Sequence, residues 1–447
     1  MTAPPETMNV VSDLVSRAKR AGADSADALL VESASISAAQ RLGEPEKVER
    51  AESTDVGLRV FIGHRQAVVS STDMSKEALG ELVERAVAMA KAVPEDPDCG
   101  LAGEGEVTHE TPDLDTNDCA DPDTAILVTR AKRMEAAALA IPGVTNSEGA
   151  EAGWGRSAIC MAASNGFNGF YTISRHSLMV AVLAGEGTGM ERDYDYMSAV
   201  YSDDLDTPEQ IGKRAGERAV KRLDPRKMKS QKVPVVFDPR VANSLVNHLA
   251  GAINGSAIAR GTSFLKDELG ENIFSAGITI VDDPLRKRGL RSKPFDAEGI
   301  ATQRRNVVED GRLTTWLLDL RSARKLNMQT TGHAVRGPSS TPSPSATNLY
   351  LEPGELSPEE IIAGISSGFY VTELMGFGLN AVTGDYSRGA SGFWIENGEI
   401  SYPVSEVTIA SNLKDMYRNL TPANDLVFRH GVDAPTLLIE GMTVAGQ

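Results

Sequence analysis

At 447 residues the chain is longer than one hydrophobic core usually supports, so two or three structural units are expected. Its 62 acidic against 45 basic residues give a net charge of −17, which argues against a general nucleic-acid binder, because phosphate contacts need clustered Lys and Arg. No apolar run reaches membrane-spanning length, and the first ten residues lack a basic stretch followed by an apolar one. No membrane association is expected, and the chain reads as cytoplasmic.

The first unit, residues 1–93, opens with an amphipathic helix. Val11, Leu14, Val15 and Ala18 recur at helical spacing, and Gly22 is placed to stop it. Three or four strands follow, including a hairpin of residues 56–62 and 66–71 around Gly63-His64. A second helix carries Leu79, Leu82, Val83, Ala86 and Met89 on one face, with Asp73 or Ser75 as its cap. Residues 94–124 then hold eleven acidic residues, four prolines and no Lys or Arg, the composition of an exposed linker.

The second unit, residues 125–228, begins with a helix to Leu139. Asn165-Gly166 marks a turn between two long strands, and Thr207-Pro208-Glu209-Gln210 forms a capping box that starts a helix to about Arg222. The third unit, residues 229–447, is dominated by strands, with hairpin turns at Asp310-Gly311 and Asn397-Gly398. Two helices are evident there, one over 239–252 and one capped by Ser357. The fold class is therefore α+β: N-terminal α+β units followed by a mostly β C-terminal domain.

The residues offer no self-sufficient catalytic constellation. Six histidines stand at 64, 109, 176, 248, 333 and 430, none one helical turn from another, whereas a helical zinc site needs ligands that point at one ion. Gly364-Ile365-Ser366-Ser367-Gly368 matches the nucleophile-elbow letters, but it falls at the end of the Ser357 helix, with Gly368 as its stop, instead of on a strand-to-helix turn. Glycine-rich stretches at 185–189 and 376–392 lack the following Lys-Ser/Thr pair of a phosphate loop and read as turns. Cys99, Cys119 and Cys160, odd in number and widely spaced, read as reduced thiols, with Cys160 buried. The basic run 286–305 reads as solvated surface. These residues favour a non-catalytic subunit or binding protein over an enzyme.

Residues 371–376 (VTELMG), 383–398 (TGDYSRGASGFWIENG) and 402–416 (YPVSEVTIASNLKDM) resemble the TldD/PmbA peptidase family, and its TldE/PmbA branch in particular. Residues 293–299 (KPFDAEG), 322–326 (SARKL) and 331–334 (TGHA) add to the match, in the same order. TldD-like members carry HExxxH on a helix, and a downstream Cys completes their zinc site. The resemblance puts Val246 and Gly251 at the two histidine positions and Asn247 at the glutamate. His248 is off register, and residues 424–435 contain no Cys. It thus implies no catalytic residue and no cofactor in this chain, with zinc in a TldD-type partner. The pair would process or degrade unfolded peptides. His333, Glu373, Met375, Tyr386 and Arg388 are the residues expected at a peptide groove or interface. A homodimer that binds peptides without cutting them is the alternative.

Overall fold

The computed structural model describes residues 5–103 and 105–446. Helix α1 (Pro5–Arg20) leads into a meander of strands β1 (Ser25–Arg41), β2 (Glu44–Ile62) and β3 (Arg65–Ser71), followed by α2 (Lys76–Ala92). The pattern recurs with α3 (Thr124–Leu139), β4 (Val144–Ala163), β5 (Asn168–Ala184), β6 (Glu191–Ala199) and α4 (Pro208–Lys221). The two units share one antiparallel sheet, ordered β3-β2-β1-β4-β5-β6. Its seam is the long pairing of β1 with β4, from Asp27 opposite Ala163 to Gln40 opposite Ala150.

Side chains alternate across a strand, so each strand of this sheet presents two faces. Along β1, Ala28, Leu30, Ile36 and Ala38 turn to the face covered by the helices, where α1 and α2 pack one half and α3 and α4 the other. Leu29 turns to the opposite face and packs with Phe167, Phe295, Ile300 and Leu320, the last three from the C-terminal unit. The inner part of this sheet is thus covered on both sides, its second face docking the rest of the chain, while the outer half of β2 stays exposed.

The C-terminal unit begins with β7 (Gln231–Phe237), α5 (Pro239–Ala252) and α6 (Gly255–Ala259). The short elements β8 (Ile280–Asp282), β9 (Arg305–Glu309), β10 (Arg312–Leu313), α7 (Leu320–Lys325), β11 (Ala334–Val335), β12 (Ser343–Pro344), β13 (Leu349–Leu351) and α8 (Pro358–Ala363) follow. Last come β14 (Ser367–Met375), β15 (Asp385–Glu396), β16 (Glu399–Asn412), α9 (Leu413–Arg418), β17 (Leu420–Pro422), β18 (Val432–Asp433) and β19 (Leu437–Ala445). The main sheet runs β16-β15-β14-β7-β19-β17, and an added β16–β19 pairing closes it on itself. A second sheet, β10-β9-β8-β13-β18, lies beside it around the largest apolar core.

The fold is α+β, and the local signals hold where they rest on stereochemistry. Thr207 and Ser357 both form complete capping boxes, and Asn397 and Gly398 take positive φ at the β15–β16 turn. Four expectations need correction. Residues 94–124 are not a free linker: Cys99, Ala102, Val107 and Leu114 are buried. Arg324 there donates to the carbonyls of Gly100 and Leu101 at 3.1 and 2.7 Å, and Arg321 pairs with Asp96 at 2.7 Å. Isolated anchors of this kind carry no periodicity, so the sequence shows only acidity. The basic run is partly interior, with Lys293 half-buried and its Nζ donating to the Ala334 carbonyl at 2.9 Å. The Ser357 helix ends at Ala363 with Gly364 as its cap, and Gly368 already lies in β14. The nucleophile-elbow letters therefore span a helix-to-strand turn. Finally, α6, α7 and α9 are too short to leave a periodic pattern, so the C-terminal unit has more helices than the two expected.

Candidate functional site

Helix α5 starts where Asp238 caps it, accepting from Arg240 N, and Pro239 occupies its first turn. Val241, Ala242, Leu245, Val246, Leu249 and Ala252 form its buried stripe. Val246 is 2% exposed within the core, whereas Asn247 and Gly251 lie at the surface. At the three positions that the resemblance assigns to zinc ligands and base, this helix offers a packed valine, an amide and a glycine. These side chains do not fit a metal ion.

His248 stands on the flank of the helix, with its ring 6.0 Å from that of Tyr386 at an interplanar angle of 70°. Its Nε2 and the Tyr386 hydroxyl are both buried without a hydrogen-bond partner among the described residues. Burial, assisted by the charge of Arg388, lowers the His248 pKa to about 4, so the ring is neutral at pH 7. Burial also raises the Tyr386 phenol, which stays protonated. The pair is a neutral, buried contact between α5 and β15.

The five groove candidates do not converge. His333 is 1% exposed; Nδ1 contacts Thr331 Oγ1 at 2.8 Å and Nε2 contacts Asp282 Oδ2 at 3.3 Å. It is a structural bridge that presents no face to a peptide, as Tyr386, also 1% exposed, presents none. Glu373 is committed within the chain: its carboxylate meets Arg222 Nη2 at 2.6 Å. Arg222 caps α4, and Arg240 of α5 reaches back to Asp193 on β6 at 2.7 Å, so together they fasten the C-terminal unit to the central one. Arg388 is half-buried and donates from Nε to the Met375 carbonyl at 3.2 Å.

Met375 alone among the five is strongly exposed, and the residues beyond it extend its apolar surface. Between β14 and β15 the chain forms an exposed loop on which Met375, Phe377 and Val382 stand out in solvent, Phe377 at 108% relative exposure. Gly378 is required there, because a Cβ at that position would lie 1.4 Å from the Ser387 carbonyl oxygen. The loop is pinned to β15 while its apolar side chains face outward. In the sequence residues 373–378 stand among the groove candidates and the Gly-Phe-Gly triplet within them reads as a turn; the exposure of Phe377 is what no local pattern shows.

Three family models tile the chain: PmbA/TldA metallopeptidase domain 1 over residues 26–90, the central domain over 117–223 and the C-terminal domain over 230–446. The chain belongs to the TldD/PmbA metallopeptidase family. It is 41% identical to the metalloprotease PmbA of Escherichia coli over 95% of this chain and 93% of the relative. It is 37% identical to a PmbA homolog of Haemophilus influenzae over 99% and 96%. A crystal structure of a candidate modulator of DNA gyrase from Bacteroides thetaiotaomicron superposes with a TM-score of 0.92 at 28% identity, covering 100% of both chains. TldE from Thermococcus kodakarensis shares the fold, with a TM-score of 0.89 at 22% identity over 98% of this chain and 100% of that one. Among the described residues no helix is long and apolar enough to cross a membrane.

Proposed function

We propose that this chain is the zinc-free subunit of a two-chain cytoplasmic metallopeptidase. Its partner would be a TldD-type chain that carries the HExxxH helix and the zinc, and the pair would cut unfolded peptides. The observation that carries this reading is the character of α5: Val246 is sealed in the core and Gly251 has no side chain, so neither supplies a ligand atom. The exposed Met375, Phe377 and Val382 support it from another side. Apolar side chains gathered on one loop mark an interaction surface more often than a solvated one.

The test is to purify the chain alone and together with a TldD-type relative from the same genome. A stoichiometric complex is expected on sizing, with cleavage of an unstructured peptide only in the mixture and in proportion to complex concentration. Phe377→Ser should weaken the complex and lower turnover together. A chain that cleaves the peptide alone at the mixture's rate would overturn the proposal. Self-association with no affinity for a TldD-type chain would favour the homodimeric peptide binder.

A further inference from the structure

A cavity of about 310 Å³ lies between β6, the loop that follows β8 and the loop that precedes β18. Arg286, Lys287, Arg288 and Arg429 line it, an unusual concentration for a chain of net charge −17. Two carboxylates also reach it, and both are already engaged. Asp433 accepts the backbone N–H groups of Arg429, His430 and Gly431 at 2.9, 2.9 and 3.2 Å. Asp204 is held by Arg288 at 3.2 Å, and Arg288 also grips Asp115 at 2.7 Å. Among the described residues, Arg286, Lys287 and Arg429 form no ion pair.

The geometry of Arg286 is specific. Its guanidinium carbon sits 3.5 Å from the centroid of the Phe428 ring. Stacking fixes the plane of the group and leaves its N–H edge free, the arrangement suited to two parallel hydrogen bonds to an oxyanion. Arg291 adds a further guanidinium beside the cavity, its side chain packed against Gly431. Like charges confined at the rim of a cavity repel, and an anion between them relieves that repulsion.

We propose that this cavity is a binding site for a small oxyanion, either the terminal carboxylate of a short peptide or a phosphate group. Arg286 and Arg429 would hold it, with Lys287 adding charge. The proposal stands independently of the subunit reading, because it rests on a cavity lined from both units of this chain alone.

Isothermal titration of the full chain at constant ionic strength tests it, with inorganic phosphate, acetyl-dialanine and the amide of acetyl-dialanine as probes. Saturable binding of phosphate or of the free acid is expected, weakened about tenfold or more by Arg286→Ala and by Arg429→Ala, and unchanged by Lys76→Ala on the distant α2. Tighter binding of the free acid than of the amide assigns the site to peptide ends, and tighter binding of phosphate assigns it to phosphate. Lys287→Gln serves as a further variant if either arginine substitution fails to fold. No saturable binding of phosphate or free acid, or binding that survives these substitutions, overturns the proposal.

Discussion

Asp27 carries more of the assembly than any single residue that the sequence reading singled out. Fully buried on β1, it meets Arg59 of β2 at 2.5 Å on one side and Arg336, from the loop between β11 and β12, at 2.5 Å on the other. Burial alone would raise its carboxyl pKa, but the charges of Arg336 and Arg59 more than offset this and leave it below the ordinary value. Because the folded pKa lies below the unfolded one, the carboxylate's contribution is fully present above the unfolded pKa. It is lost as pH falls through the folded one. Asp27→Asn should therefore destabilise the chain by about 3–5 kcal/mol at pH 7, since two buried guanidiniums lose their counter-charge. Denaturant titrations of both proteins should show this gap shrinking below about pH 4. A gap that stays constant from pH 7 to pH 3 would mean that packing, and not charge, explains the loss. Nothing in the sequence near Asp27 announces this role, because Arg336 lies 309 residues away. A short-range pattern cannot encode such a partner.

At the scale of elements, legibility follows the range of the physics. Capping boxes and hairpin turns are settled by a few neighbouring residues, so Thr207, Ser357, Asn165-Gly166 and Asn397-Gly398 were readable. The apolar stripe of α2 was nearly so; Met89 is 44% exposed, and Val87 and Ala90 take the interior positions instead. The outer half of β2, an exposed and charged run from Glu44 without apolar alternation, forms strand because β1 pairs with it along its length. The acidic strap of residues 94–123 and the loop at Phe377 exchange their expected roles. The strap looked free and is anchored, whereas the loop looked like packing and is exposed. Limited chymotrypsin digestion followed by mass spectrometry should thus cut first after Phe377 and leave the strap intact at that stage. An initial cut within 94–123 would restore the free-linker reading. Protection of Phe377 on adding a TldD-type chain is the matching outcome for an interface there.

For the whole molecule, the question is which parts can stand alone. Family models meet the first and central units as separate segments, yet in three dimensions β1 and β4 pair along Asp27–Gln40, so parting the units would open two long strand edges at once. Unpaired edges of that length invite aggregation, and Ile36 and Ala38 of β1 and Cys160 and Ala162 of β4 would lose the apolar cluster of the other unit. The junction near residue 230 is different. No strand of the first sheet pairs with a strand of the C-terminal unit. The contacts that cross include the Leu29–Phe295 cluster, the ion pairs of Arg222, Arg240, Arg288, Arg321 and Asp27, and backbone hydrogen bonds from Thr108 to Gly299 and from Arg288 to Leu114, both 2.9 Å. Short-range contacts of this kind, without a shared strand ladder, resemble a protein–protein interface, which can be separated and reformed. The prediction is that a fragment ending at residue 226 is soluble and melts cooperatively, whereas one ending at residue 93 precipitates. Mixed with a fragment of residues 227–447, the longer piece should re-form a complex of the parent's size on gel filtration. Asp27→Asn in that piece should weaken the reassembly, because Arg336 then enters the interface without its counter-charge. If the 93-residue fragment instead folds as a stable monomer, the shared sheet is not what makes the two N-terminal units inseparable. The seam would then be a contact between independent domains.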